Sequence, residues 1–346
     1  MQTAWFIAIA LLWALYLVLE GFDFGVGMLL RRVRDDAFDR RAAIHTIGPT
    51  WAANEVWLVI AVVAMFGAFP GWYAAWASTF YLPLTVALLA LIARNTSIEL
   101  LGKRDDEAWR RGWERVLFIA SFVAPFCWGL IWTAALDGVA LRGSEAVGGP
   151  LEVLTPVALL GGLTLVVLCR ALGAAFLALR TEGEVGVRAA RELRRTAPVA
   201  AVLVSVTVIV TTPPGIVSTL AILAALAFAT LALAARGVAA PRHPGRTFAA
   251  GCLAIALVVV GWFAALHPAG LNGADGAPGL ALDRVVAGDY TLTLMTILAG
   301  LLLPLLLAVQ AWSYWLFRER VTRAAVGAPR PSPVDLIARV AEKRGW

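Results

Sequence analysis

The amino-acid sequence predicts an all-α, polytopic membrane protein with about nine transmembrane helices, and three observations predict it. Apolar residues make up 60% of the 346 positions and charged residues only 15%, where a soluble chain carries about 25% charged residues. Mean hydropathy is +0.80. The charges cluster between apolar runs of about 20 residues, the length a helix needs to cross the hydrocarbon of a bilayer. These features exclude a soluble enzyme, a disordered chain and a disulfide-stapled secreted domain.

The runs, in order, are 3–30, 51–69, 73–93, 115–136, 152–179, 197–212, 216–235, 247–266 and 291–317. The first has no basic N-terminal region, is too long for a signal's apolar core and lacks a small-residue cleavage site, so it is expected to be a span and not a secretory signal. The sixth ends at Pro213-Pro214, which suits a tight turn into the seventh. Lys and Arg orient the set. Loops 31–50, 94–115, 180–196 and 236–246, with the tail 318–346, hold 26 of the 29, and the alternate loops hold only Arg142 and Arg284. Such an excess marks the cytoplasmic side, so the C-terminus is expected inside and the N-terminus outside. The net charge of +6 is therefore a topology signal, and no nucleic-acid partner is implied. Residues 1–317 form the membrane-embedded domain and 318–346 a basic cytoplasmic tail. The segment 103–115 places Trp109 and Trp113 among charges and is expected to lie along the cytoplasmic interface. The external loop 267–290, rich in Gly, Asp and Pro, suits a lid or a partner contact.

Ionisable groups at membrane depth are costly to bury and so mark function. Glu20 and Asp23, within LEGFDFGVG, stand three apart and share one helical face. Gly21 and Gly25 form a small-residue step that admits a second helix closely. Two neighbouring carboxylates away from bulk water suit a proton relay; the plainer alternative is that Asp23 bonds a neighbouring backbone. Asn54 and Glu55 open the second span, where the helix dipole alone favours an acid. Arg170 lies ten residues from Arg180, roughly 15 Å deep at 1.5 Å per residue, and is expected to pair with Glu20 or Asp23.

Other chemistry is missing. The sequence has no P-loop, GxSxG, HExxH or zinc spacing, so no catalytic residue and no metal site are assigned. Cys127, Cys169 and Cys252 are isolated in apolar stretches and are placed for packing. His45 and His243 fall in cytoplasmic loops and His267 at the outer end of the eighth span. Met65 and Met295 are lone apolar residues, placed for packing and not for haem ligation. The chain is expected to bind no cofactor alone and to act as a membrane scaffold with a buried acidic path.

Four runs carry a resemblance: EGFDFGVGMLLRR (20–32), HTIGPTWAANEVWLV (45–59), AMFGAFPGWYAAWASTFYLPL (64–84) and YTLTLMTILAGLLLPLLLAVQAWSYWLFRERV (290–321). They resemble subunit II of cytochrome bd-type quinol oxidases, and they lie toward both ends of the chain. The resemblance implies a complex in a bacterial-type plasma membrane that oxidises quinol and reduces oxygen to water in aerobic respiration. The haem b and haem d groups and the quinol site would lie in a larger partner, subunit I. Subunit II would ligate no haem, support the complex and supply a proton path from the cytoplasm. Small accessory subunits and a structural quinone are compatible with it. The family's acid in GFD maps onto Asp23, with Glu20 at the commonly acidic position three before.

One departure matters. Where the family's second motif reads close to WDGNEVW, this chain has WAANEVW, so Ala52 replaces an aspartate of the implied path. The duty then falls to Glu55 one helical turn on, to Glu20 and Asp23, or to another entry. Two alternatives stand beside the oxidase reading: a diverged scaffold or assembly paralogue of the family, and a proton-coupled secondary transporter.

Overall fold

Helix α1 (Gln2–Val33) is apolar on nearly every side, and a helix without a polar face belongs in the middle of a bundle. The computed structural model places it there. It describes residues 1–34, 37–104, 106–142, 145–233 and 244–322. Around α1 follow α2 (Ala37–Ile47), α3 (Trp51–Ala68), α4 (Pro70–Thr79), α5 (Tyr81–Leu100), α6 (Glu107–Asp137), α7 (Pro156–Arg180), α8 (Glu184–Thr211), α9 (Ile216–Leu233), α10 (Pro244–Leu266) and α11 (Asp289–Leu316). The antiparallel pair β1 (Leu141–Arg142) and β2 (Glu145–Ala146) follows α6. α1 packs against α3, α6, α7 and α10.

Among the described residues, eight helical stretches are long and apolar enough to cross a membrane, and Ile216–Thr230 is a shorter apolar helix. Nine expected runs thus compare with eight qualifying stretches and one shorter apolar helix, with three shifts of boundary. The stretch 73–93 is not one helix: α4 ends at Thr79, and α5 starts at Tyr81 and runs to Leu100. Pro70 opens α4 and Pro83 lies in the first turn of α5, the positions where proline tolerates a helix. Arg94, counted above among loop charges, is thereby moved inside a spanning helix. α8 begins at Glu184, so most of the loop expected at 180–196 is helical. Residues 107–115 are the opening turns of α6, in one helix with the span. The tail from 323 and His243 lie outside the described residues.

Close approach fixes the centre. A Cβ on Gly25 would press on Cys169 O and lie 2.6 Å from Gly173 Cα, so α1 and α7 touch backbone to backbone. A Cβ on Gly21 would meet Ile255 Cδ1 at 3.1 Å. Toward the Met1 end, the core is aromatic. Trp13 is fully buried and takes the rings of Trp132, Trp128, Tyr16 and Trp76 edge-on at 5.1–6.1 Å, the geometry that ring quadrupoles favour. Trp128 Nε1 donates to Tyr16 Oη at 3.0 Å.

The loop 267–290 is folded onto the bundle. α6 stops at Gly138, whose φ of 113° a side chain would oppose. Asn272 Nδ2 then donates to Leu136 O at 2.8 Å and its backbone N–H to Ala135 O at 3.1 Å, capping α6. Leu271, Leu280 and Leu282 are buried beneath this cap. At the Val33 end, charges clamp the helices. Glu114 of α6 is buried and accepts from Arg40 Nε at 2.5 Å and Arg34 Nη2 at 2.8 Å. Arg188 of α8 donates to Asp39 at 2.9 Å and to Val33 O at 3.1 Å.

The α1–α7 contact makes a prediction. Gly25→Ala is expected to lower the thermal stability of the detergent-purified protein by about 1–3 kcal/mol or more, the cost of overpacking. Gly112→Ala, with nothing within 4 Å of its Cβ position, is expected to be neutral or to stabilise by about 0.5–1 kcal/mol. Equal melting temperatures for the two variants would contradict the close crossing.

Candidate functional site: a buried ion cluster at the Val33 end

Four helices bring polar groups to one place inside the bundle. From α1 come Glu20 and Asp23, from α3 Asn54, from α5 Arg94, and from α11 Gln310 and Tyr314. Glu20, Asp23, Asn54 and Arg94 are each fully buried. Arg94 Nη1 donates to Glu20 Oε1 in a close ion pair, and Arg94 Nη2 lies 3.9 Å from Asp23 Oδ2. The guanidinium also sits over the Phe24 ring, 5.0 Å from its centroid. The i,i+3 spacing of the two acids puts both on the side of α1 that meets α3 and α5.

Asn54 is the hub of the second half. Its Nδ2 donates to Asp23 Oδ2 at 2.8 Å, while its Oδ1 accepts from Gln310 Nε2 at 2.8 Å and Tyr314 Oη at 2.7 Å. With Gln310 and Tyr314 on Oδ1, the Asn54 amide presents N–H to Asp23. Tyr314 lies two residues before the end of α11, at the end of the bundle where Val33 and the Lys/Arg-rich loops gather. On the other side, Asn95 Nδ2 donates to Glu55 Oε2 at 2.6 Å and Asn95 Oδ1 lies 3.5 Å from Arg94 Nη1.

The cluster holds two carboxylates against one guanidinium. Moving such ions out of water costs several kcal/mol apiece, and an uncompensated one is worse. Arg94 balances a single negative charge. Glu20 Oε2 and Asp23 Oδ1 are buried and carry no protein hydrogen bond, which leaves each acid one oxygen on which a proton can ride.

The structure corrects one expected partner. Arg170 does not reach α1: it donates to Glu192 of α8 at 2.8 Å, and Glu192 also faces Arg195 at 3.4 Å. The cation beside Glu20 and Asp23 is Arg94. Hydropathy starts the third span at 73, eight residues before α5 begins, which leaves Arg94 outside it; two acids one turn apart are the signal that an interior cation is owed. Gln310 and Tyr314 were hidden in an otherwise apolar run, though their i,i+4 spacing put them on one face of the last span.

The described histidines stand at opposite ends of the bundle, His45 in the last turn of α2 and His267 past α10 against the Phe6 ring. Met65 is sealed in the core, and the Met295 thioether covers Gly67. These four side chains do not form a ligand set, and among the described residues no cluster of three His, Cys, Asp or Glu is placed to hold a metal ion.

Fold and site together define a multi-pass membrane protein with a buried, unequally charged ion cluster near one membrane face. Comparison with known proteins gives the particular family. The sequence profile of cytochrome bd terminal oxidase subunit II matches residues 1–317. Cytochrome bd ubiquinol oxidase subunit 2 of Bacillus subtilis is 35% identical over 328 residues, covering 92% of this chain and 96% of that protein. Cytochrome bd-I ubiquinol oxidase subunit 2 of Escherichia coli is 35% identical over 204 residues, 58% of this chain and 53% of that one. The solved bd oxidase of Geobacillus thermodenitrificans has the same fold, with TM-score 0.67 at 17% identity, over 91% of this chain and 98% of that one. The chain belongs to the cytochrome bd terminal oxidase subunit II family. It is thus a multi-pass membrane protein of electron transport, a subunit of an oxidoreductase.

Charge balance makes the second prediction. Arg94→Met leaves two buried acids without a counter-charge and is expected to cost about 3–5 kcal/mol. Adding Glu20→Gln is expected to recover much of that loss, whereas Arg170→Met is expected to show no coupling to Glu20→Gln. A double-mutant cycle on thermal unfolding reads both, and additive effects for Arg94 and Glu20 would refute the pairing.

Proposed function

We propose that this chain is the subunit of a bd-type terminal oxidase that ligates no haem, and that it carries protons from the cytoplasm to a haem-bearing subunit I. One observation supports this above the others: two fully buried carboxylates share one guanidinium and connect through Asn54 to Tyr314 near a membrane face. Under this reading the chain crosses a bacterial-type plasma membrane nine times, with the N-terminus outside and the Arg-rich end inside. Haems b and d, held by the partner, supply the redox chemistry, with quinol as electron donor and oxygen as acceptor.

The chain's own residues do three things. Glu20 and Asp23 hold a proton at Oε2 or Oδ1, because Arg94 balances one of them and the other is cheaper neutral. Asn54, fixed by Gln310 and Tyr314, orients Asp23. The sealed aromatic core at the Met1 end blocks a leak to the outer side. Protons drawn from inside and electrons released by quinol outside together build membrane potential without a pump.

The partner surface follows from α11, in which only Leu292 and Leu316 are buried while Leu301, Leu305 and Trp312 are exposed. Its inner side is tied to the cluster, so its outer, leucine-rich side is free for subunit I. The diverged-paralogue alternative keeps one supporting fact, Ala52 in place of the family's aspartate. Turnover decides between the two.

In the purified complex, Asp23→Asn is expected to slow oxygen reduction by about 10²-fold, the lower end of what a positioned acid–base group contributes, while the haem spectrum stays intact. Parental turnover in that variant would remove the proton role. A parental chain that purifies colourless, without a large haem-bearing partner, would remove the oxidase role itself.

A further inference from the structure

Arg170 lies inside an apolar run yet takes no part in the acidic cluster. Thr164 of α7 and Thr207 of α8 meet at 2.7 Å and set the level of these two antiparallel helices. Arg170 is six residues from that contact and Glu192 fifteen, about 9 and 22 Å at 1.5 Å per residue. Their ion pair at 2.8 Å therefore needs the Arg170 side chain stretched along α7 toward the Val33 end. Glu192 also meets Arg195 at 3.4 Å. Two guanidiniums thus share one carboxylate, and a single positive charge is left over.

The surface beyond them is apolar. On α8, Val199 and Val202 are exposed one and two turns past Arg195, and on α7, Leu163 is exposed two turns before Arg170. α6 repeats the pattern, with Arg111 and Arg115 exposed ahead of Ile119 and Phe122. Charge gives way to apolar surface in one direction on three neighbouring helices, as it does where headgroups meet hydrocarbon. α11, whose outer side is proposed for the partner, packs on α3, whereas this surface belongs to α6, α7 and α8.

We infer that Arg170 and Arg195 hold the phosphodiester of an anionic phospholipid, of the phosphatidylglycerol type, in the leaflet at the Val33 end. Its acyl chains lie along Val199 and Val202 of α8 and Leu163 of α7. A guanidinium at this depth is costly without a counter-charge, and Glu192 supplies half of what the two arginines require. A phosphate oxygen supplies the rest, since the planar guanidinium suits phosphate geometry. Arg195 is the reachable member, 66% exposed, while Glu192 is 12% exposed and Arg170 21%. A zwitterionic lipid brings an ammonium along with its phosphate and leaves the surplus charge uncompensated. Glu192 competes with the phosphate for both arginines, so the lipid binds tighter without it. The site does not depend on the proton role.

The test titrates the delipidated, detergent-purified complex with phosphatidylglycerol, with phosphatidylcholine as the comparison, and counts bound lipid by native mass spectrometry. The parental complex is expected to hold a phosphatidylglycerol that phosphatidylcholine does not displace. Arg195→Gln is expected to weaken it about fivefold, the worth of one arginine near a membrane surface, and Arg170→Gln at least as much. Arg195 is mostly exposed, so its variant reads binding and not folding. Glu192→Gln, which removes a negative charge, is expected to strengthen binding by a similar factor. Arg142→Gln, in β1 at the other end of the bundle, is expected to change nothing. Equal binding of the two lipids would overturn the site, and so would parental affinity in Arg195→Gln or Arg170→Gln. A Glu192→Gln complex that loses the lipid, or an Arg142→Gln complex that loses as much as Arg195→Gln, would overturn it too.

Discussion

A single guanidinium facing two carboxylates in the interior of a helical bundle sets the terms for the rest of this protein. Arg94, Glu20 and Asp23 are fully buried, and such a group of charges is stable only if every helix around it stays in register. α1 is held against α7 by the Gly25–Gly173 contact, which leaves no room for sliding. α1, α2 and α6 are locked at the Val33 end by Glu114 between Arg34 and Arg40. α6 is capped at its far end by Asn272. The fastenings lie above, below and behind the cluster, and their common effect is to hold α1 where its two acids meet α5.

The charge imbalance also explains the chemistry available. A neutral pair would be a staple and nothing more, because every charge would already have its complement. With two acids and one guanidinium, the charges would balance on taking up one extra proton, which is the basis of the proposed proton role. With Asn54 Oδ1 engaged by Gln310 and Tyr314, its N–H faces Asp23.

Much of this was legible in the sequence. The apolar runs overlap the eight long apolar stretches among the described residues, because hydrocarbon thickness imposes a length on them, but the third run is displaced from α5. LEGFDFGVG announced paired acids beside a close-packing glycine step, and both acids and Gly25 occupy the interior as that pattern required. What stayed hidden was partnership across the bundle. Arg94 borders one apolar run and Arg170 lies inside another, and hydropathy cannot say which one an acid on α1 will meet. The answer turned on where α5 begins, which Phe80 and Pro83 determine through local backbone geometry. A shift of eight residues carried Arg94 from a loop to the centre of the site. The amphipathic start of α8 and the helical α2 were hidden for a related reason: their charges resemble those of loops, and only contact with the clamp at Glu114 and Asp39 makes them helix faces.

α11 shows how a weakly packed element can matter more than a buried one. Nearly all of its side chains look away from the bundle, and few polar ties hold it: Trp5 Nε1 to Thr296 Oγ1 near one end, and Gln310 and Tyr314 to Asn54 near the other. Were the helix only a lipid-facing wall, the two polar side chains at its inner end would add cost without return, since hydrocarbon outside and apolar core inside offer them nothing. Their presence makes sense if the helix has to hold Asn54 while its outer surface is covered by another protein. Packing against that partner would then press Gln310 and Tyr314 onto Asn54. The acid cluster would be fully ordered only in the assembled complex, where a proton delivered to the wrong place would have consequences.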